Sequence, residues 1–229
     1  MRKSDVIAVL ILGEIAAWLI LSVAKGFLKP EFYDKIHNLL IIGLPIVFPI
    51  LCLIFIYISF LIAKRIVVIR QVAKFILVGG LNTLVDWGIL ALLIFVFRNS
   101  FSVGSNDVLL NIFSVTIVFY SLFKGISFIL ATTNSYIWNK FWTFRRKTKE
   151  KLGKEFLQFI VISFLGFLIN VGIASIIFRF VSPFAGLGID QWAIIAAAIA
   201  TAVSMIWNFI GYKFIVFDTK KQNGRISNI

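Results

Sequence analysis

Apolar stretches long enough to cross a membrane recur along this chain, and no other feature narrows its fold so far. A helix that crosses ~30 Å of hydrocarbon needs about 20 apolar residues. Such runs lie at residues 6–23, 39–63, 75–97, 156–181 and 192–214. A further span is expected at 119–142, closing a long apolar stretch that starts near Leu109 and contains Lys124; residues 109–120 then read as an interfacial or partly inserted segment. Pro45 and Pro49 in the first half of the second run predict a kink or a broken first turn there. Residues 98–100 and 104–107 read as a loop, and Pro183, Gly186 and Gly188 as a turn. Of the 229 residues 60% are hydrophobic and 14% charged, so lipid rather than water has to cover the apolar surface. The mean hydropathy of +0.99 agrees. The expected fold class is an all-α polytopic membrane protein with about six transmembrane helices. It divides into a two-helix membrane hairpin (1–70), a four-helix membrane domain (71–217) and a polar cytoplasmic tail (218–229).

The first run follows Met1-Arg2-Lys3, as in a secretory signal, but its apolar stretch extends from Val6 to about Val23 without a convincing small-x-small cleavage site after it, so a retained helix is expected. The chain carries a net charge of +13, from 23 Lys and Arg against 10 Asp and Glu. Its basic residues sit in short segments between apolar runs, which suits topology signals and anionic lipid headgroups rather than nucleic acid. Lys64, Arg65, Arg70 and Lys74 lie between the second and third runs. Five basic residues fall within 145–151, and Lys213, Lys220, Lys221 and Arg225 follow the last run. The loops after the third and fifth runs hold only Arg98 and Arg179. Both termini are therefore expected in the cytoplasm, although Lys25, Lys29 and Lys35 weaken the contrast at the first external loop. A single cysteine, Cys52, and a single histidine, His37, give no disulfide, metal cluster or histidine-based catalysis, and no cofactor is indicated. Phosphate-binding glycine loops, HExxH, GxSxG and Asp-x-Asp patterns are missing from the sequence, so an enzyme is not expected.

An internal repeat is visible. Residues 75–89 (FILVGGLNTLVDWGI) resemble 159–173 (FIVISFLGFLINVGI), 84 residues on, with Asp86 opposite Asn170 and Gly88 opposite Gly172. The ends of the fourth and sixth spans correspond at a spacing of 73: Lys140-Phe141-x-x-Phe144 and Lys213-Phe214-x-x-Phe217. Two repeats (71–144 and 155–217), each starting on the cytoplasmic side, would be parallel, with a groove between them as the natural substrate pathway. These segments also carry a family likeness. FILVGGLNTLVD (75–86), NSYIWNKFWTF (134–144) and WNFIGYKFIVF (207–217) resemble the signature regions of the GtrA-like family. Lys140 and Lys213 stand where that family often has Arg, and Tyr212 where an Asn is common. The resemblance covers roughly 71–217 and implies a membrane protein that moves polyprenyl-phosphate-linked sugars across the bilayer, or that supports the glycosyltransferases using them.

Asp86 is the sharpest chemical signal. It lies 11 residues into its run, ~16 Å deep at 1.5 Å per residue. An ionisable group there costs roughly 2.5–3.5 kcal/mol on insertion scales and is either functional or satisfied by an interhelical partner. Three roles are open to it: hydrogen-bonding a sugar, titrating a proton, or pairing with Lys124, which lies an estimated ~8 Å away along the axis. Asn82, one turn earlier on the same face, and Asn170 offer amides to sugar hydroxyls or to neighbouring helices. At headgroup depth Lys140, Lys213, Arg145 and Arg146 suit a lipid phosphate, or serve as topology anchors, and Asn139 adds an amide donor. Trp138, Phe141, Trp142 and Phe144 form an aromatic belt suited to packing or anchoring. Glu14 is a second intramembrane acid of unassigned role.

The leading expectation is a flippase: it translocates a polyprenyl-phosphate-linked sugar across the cytoplasmic membrane for cell-surface polysaccharide or glycoconjugate synthesis. Its partners would be that lipid, the surrounding membrane lipids and further copies of the chain, with no nucleic acid. Two alternatives stay open: a non-transporting adaptor for a glycosyltransferase, and an ion-coupled carrier of a small solute.

Overall fold

The computed structural model describes residues 1–28, 30–63, 66, 68–113, 115–146, 152–183 and 188–217. Lys29, Lys64, Arg65, residues 147–151, Gly186 and the tail 218–229 lie outside the described residues, as do the side chains of Lys25 and Asp190. Two compact units make up the chain, Met1–Arg145 and Arg146–Ile229.

The first unit holds α1 (Lys3–Phe27), α2 (Pro30–Ile62), α3 (Val68–Phe101), a two-stranded sheet and α4 (Phe119–Trp138). Asp5 near the start of α1 meets Lys74 near the start of α3. The Lys74 ammonium lies over the rings of Phe60, near the end of α2, and Trp142, just past α4. Successive helices therefore alternate in direction, and one end of the unit gathers Arg2, Arg70, Lys74 and Arg145. We call this its basic end.

The core of this unit is small. Val9, Leu12 and Ala16 of α1 pack on Cys52 and Ile56 of α2 and on Ala73, Val78 and Leu81 of α3. Most other large apolar side chains, such as Ile42, Leu92 and Phe95, are exposed, as expected of helices whose outer faces meet lipid. Gly13 sets the closest approach. A Cβ there would stand 2.7 Å from Pro49 Cα, so only glycine lets α1 settle against the proline face of α2.

The expected break in the second span is not present. α2 runs without interruption through Pro45 and Pro49. Each proline removes one backbone bond, and their four-residue spacing places both losses on the same face, which leaves the opposite rows of hydrogen bonds intact.

α3 also extends beyond its predicted end. Residues 98–100, read from sequence as loop, belong to the helix, which closes at Phe101. Its 34 residues span ~51 Å at 1.5 Å each, well beyond the hydrocarbon thickness. Phe97 packs its ring against Phe101, Phe119 and Phe123, joining this end of α3 to the start of α4. Between the two helices lies an antiparallel hairpin, β1 (Val108–Ile112) and β2 (Val115–Val118), where the sequence suggested only an interfacial segment. A β-branched run, Val115-Thr116-Ile117-Val118, explains the departure, since such side chains crowd a helix and suit a strand. The hairpin pairs Val108 with Val118 and Ile112 with Val115, and β2 leads straight into α4.

The second unit holds α5 (Leu152–Phe180) and α6 (Ile189–Gly211), packed together. The fold is thus all-α and polytopic apart from the hairpin. Six helices lie among the described residues, and five are long and apolar enough to cross a membrane. α4 is the sixth; its 20 residues include Lys124, Thr132, Thr133, Asn134 and Ser135, which lower its apolar content.

Both α4 and α6 end in a π-helical turn, Asn139–Thr143 and Tyr212–Val216. The two turns are 73 residues apart, the spacing of the Lys-Phe-x-x-Phe motif. Each closes with the same bond: Phe144 N–H donates to Asn139 O and Phe217 N–H to Tyr212 O, both at 2.8 Å.

Candidate functional site

Twelve residues separate Lys74 at the basic end from Asp86, ~18 Å of helix and so close to mid-bilayer. There the Asp86 carboxylate accepts hydrogen bonds from two groups on α4, the Lys124 ammonium through Oδ2 and the Ser127 hydroxyl through Oδ1 at 2.7 Å. Lys124 and Ser127 are three residues apart on α4 and so share a face. Ser127 is fully buried, the Asp86 side chain is 18% exposed, and that of Lys124 is 41% exposed. Of the roles open to Asp86, the structure draws it into the pair with Lys124. An opposite charge with two hydrogen bonds explains how a carboxylate stays at this depth. The pair is neutral overall, and the ammonium keeps an open side. One turn toward the basic end, Asn82 Oδ1 is buried with no hydrogen bond among the described residues.

The second unit carries a milder version at the matching position. Asn170 Nδ2 donates to Thr201 Oγ1 at 3.2 Å and to Ser204 Oγ at 3.3 Å, both on α6. Charged groups are replaced here by amide and hydroxyl. Toward the π-turn, α5 and α6 come closer still: a Cβ on Gly166 would lie 2.2 Å from Asn208 Oδ1. Asn208 Oδ1 is buried and makes no hydrogen bond among the described residues. Gly166 occupies the repeat position of Asn82, and Asn208 that of Ser135, so the amide has changed helix between the two units.

At the basic end of the first unit lies a buried ionic cluster that pairwise sequence reading does not suggest. Asp5, 1% exposed, accepts three hydrogen bonds on Oδ1: from Lys74, from Arg145 Nη2 at 2.6 Å and from Trp142 Nε1 at 3.2 Å. The Lys74 ammonium also reaches Trp142 O at 3.5 Å. Arg145 takes the left-handed backbone conformation, φ 53°, directly after the π-turn. A non-glycine residue there is strained, and the turn it makes lets its guanidinium fold back onto Asp5. Asp5 was missed because its partners are 69 and 140 residues away; an acid in the first turn of a helix ordinarily reads as a dipole complement.

The remaining expected phosphate ligands are drawn into the protein to different degrees. Lys140 is buried at 1% exposure, donating to Tyr136 Oη at 3.0 Å and lying over that ring. Asn139, equally buried, donates through Nδ2 to Ser135 O at 2.9 Å. Lys213 is half-buried over the rings of Phe209 and Phe214, the repeat positions of Tyr136 and Phe141. In the second unit Arg146 Nε sits 2.9 Å from the buried Glu155 carboxylate, an ion pair misaligned for a hydrogen bond. Glu14 accepts from Trp18 Nε1 at 2.8 Å, one turn along α1.

The chain is 28% identical over 155 residues to the uncharacterized membrane protein YngA of Bacillus subtilis (strain 168), covering 68% of this chain and 84% of that protein. No solved structure matches. The family model described as GtrA/DPMS, transmembrane domain, matches residues 74–217. That stretch takes in Asp86, Lys124, Ser127, Asn170 and both π-turns, and leaves α1 and α2 outside it. A multi-pass membrane protein with this match, this helix content and these motif positions belongs to the GtrA/DPMS transmembrane-domain family.

Proposed function

We propose that this chain carries a polyprenyl-phosphate-linked sugar between the leaflets of the cytoplasmic membrane, with both termini in the cytoplasm and without making or breaking covalent bonds. The observation that carries this reading is the Asp86–Lys124–Ser127 cluster. A sugar headgroup loses its water on entering ~30 Å of hydrocarbon, and each unmet hydroxyl there is costly. A carboxylate, an ammonium and a hydroxyl at mid-depth can exchange hydrogen bonds with those hydroxyls. Because Lys124 neutralises Asp86, the site does not repel a phosphate as a lone carboxylate would. Asn82, one turn away on α3, adds an amide to this cluster, and the second unit has a polar set of its own in Asn170, Thr201 and Ser204. The prenyl chain stays in lipid throughout. Family membership supports a role in glycan–lipid processes, and the distribution of Lys and Arg supports the orientation.

The test is reconstitution into vesicles with a labelled lipid-linked sugar, reading which leaflet exposes it. Asp86→Ala should lower translocation at least tenfold while the protein still inserts, and Asp86→Ala/Lys124→Met, which leaves no unpaired ammonium at mid-depth, should be as inactive with melting closer to the parent. Full activity in either variant would overturn the reading and favour a membrane adaptor for a glycosyltransferase, which has no need of a carboxylate at mid-bilayer.

A further inference from the structure

The basic end of the first unit holds an open cavity of about 370 Å³, lined by Arg2, Phe60, Arg70, Lys74, Thr143 and Arg145 around Asp5. This is within the size range of ligand pockets. Four cationic side chains face a single carboxylate. One oxygen of that carboxylate is already committed, since Asp5 Oδ1 takes Lys74, Arg145 and Trp142 together. Positive charge is left over, and two polar atoms in the lining have no use inside the protein. Arg70 Nε and Thr143 Oγ1 are both buried and make no hydrogen bond among the described residues. Thr143 is only 3% exposed. The Arg70 guanidinium is held over the Phe60 ring, 5.1 Å from its centroid, rather than turned to water. Buried polar groups in proteins are almost always satisfied, so groups arranged this way around a cavity point to a partner that supplies acceptors.

We propose that this cavity binds the phosphoryl oxygens of an anionic headgroup. Arg70 and Arg2 supply charge and donors, Thr143 a hydroxyl, and Asp5 fixes Lys74 and Arg145 as the positive rear wall. Guanidinium and hydroxyl donors at headgroup depth match tetrahedral phosphoryl oxygens. Arg2, Asp5, Phe60 and Arg70 all precede the family-matched segment 74–217. The added helices α1 and α2 therefore have a function here: they complete a pocket that the family segment alone would leave open. The inference deepens the translocation reading, giving the phosphate a contact distinct from the buried Lys140 and the Glu155-paired Arg146. It does not require that the protein flip anything.

The experiment uses full-length protein in phosphatidylcholine nanodiscs with two probes, polyprenyl monophosphate in the bilayer and inorganic diphosphate in the buffer. Bound probe is counted by native mass spectrometry, and melting temperature reports folding. Arg70→Ala should weaken binding about tenfold and the Arg2→Ala/Arg70→Ala pair further, since each charge-assisted contact is worth about a decade of affinity. Arg70→Lys should recover part of the loss. Arg98→Ala, which removes an exposed arginine at the far end of α3, should change nothing. Retention of the lipid alone identifies a headgroup as the source, and binding of diphosphate without it identifies a soluble anion. Parent-like binding in the double variant, or binding of neither probe by the parent, overturns the proposal. A protein that binds phosphate but does not move lipid-linked sugar keeps this inference and loses the translocation reading.

Discussion

Replacing Asp5 by alanine should destabilise the first unit by about 3–5 kcal/mol, the usual cost of stranding a buried charge. The structure supports the high end of that range. Lys74 and Asp5 side chains are 5% and 2% exposed, and once the carboxylate is gone Lys74 keeps, among the described residues, Trp142 O at 3.5 Å and the rings of Phe60 and Trp142. Arg145 suffers less, because 35% of its side chain already reaches solvent or headgroups. Removing the other partner is milder. Lys74→Met leaves Asp5 bonded to Arg145 and Trp142, so it should cost about 1.5–3 kcal/mol, the worth of one charge-assisted bond. The double variant Asp5→Ala/Lys74→Met no longer strands the buried ammonium, leaving only the partly exposed Arg145 unpaired from Asp5, and should be more stable than Asp5→Ala alone by about 2 kcal/mol. Reversible unfolding in mixed micelles by added denaturing detergent, followed through tryptophan fluorescence, measures all four proteins. Because the cluster is buried, the coupling should persist at high salt. Strict additivity, with the double variant as weak as the sum of both singles, would refute the reasoning and show that Asp5 and Lys74 act independently.

Two further perturbations separate packing from chemistry. Gly13→Ala puts a methyl group 2.7 Å from Pro49 Cα, which cannot give way, and should cost about 1–3 kcal/mol in the same unfolding assay; Gly88→Ala meets only Leu19 Cδ2, the end of a flexible side chain, and should cost well under that. Asn170→Ala removes two long hydrogen bonds at 3.2 and 3.3 Å, and at about 0.6 kcal/mol for each intramembrane bond should lose only about 1 kcal/mol. In the vesicle assay it should retain more translocation than Asp86→Ala, and a deeper loss would place the main sugar contact in the second unit.

The sequence alone determined the class of the molecule and the pieces of its repeat. Runs of about 20 apolar residues have few physical outlets, because unpaired backbone groups are too costly in hydrocarbon, so helices 75–97 and 156–181 could be read directly. Asp86 could be singled out for the same reason: one carboxylate in apolar surroundings violates the local pattern whatever the fold. The Lys-Phe-x-x-Phe spacing carried over into two matching π-turns, since that geometry depends on contacts within five residues. What local pattern leaves undetermined is which distant groups meet. Asp5 resembles any acid in a first helical turn, and Lys74 and Arg145 resemble ordinary topology markers; only the alternation of α1, α2, α3 and α4 brings the three to one point. Burial of Lys140 is likewise a tertiary outcome, because a lysine at a helix end can snorkel to the headgroups or turn inward onto Tyr136, and the choice depends on neighbours far along the chain. Pairing of Asp86 with Lys124 and Ser127 stands between these cases: helix rise brings the groups within reach, but packing of α3 on α4 decides that they touch.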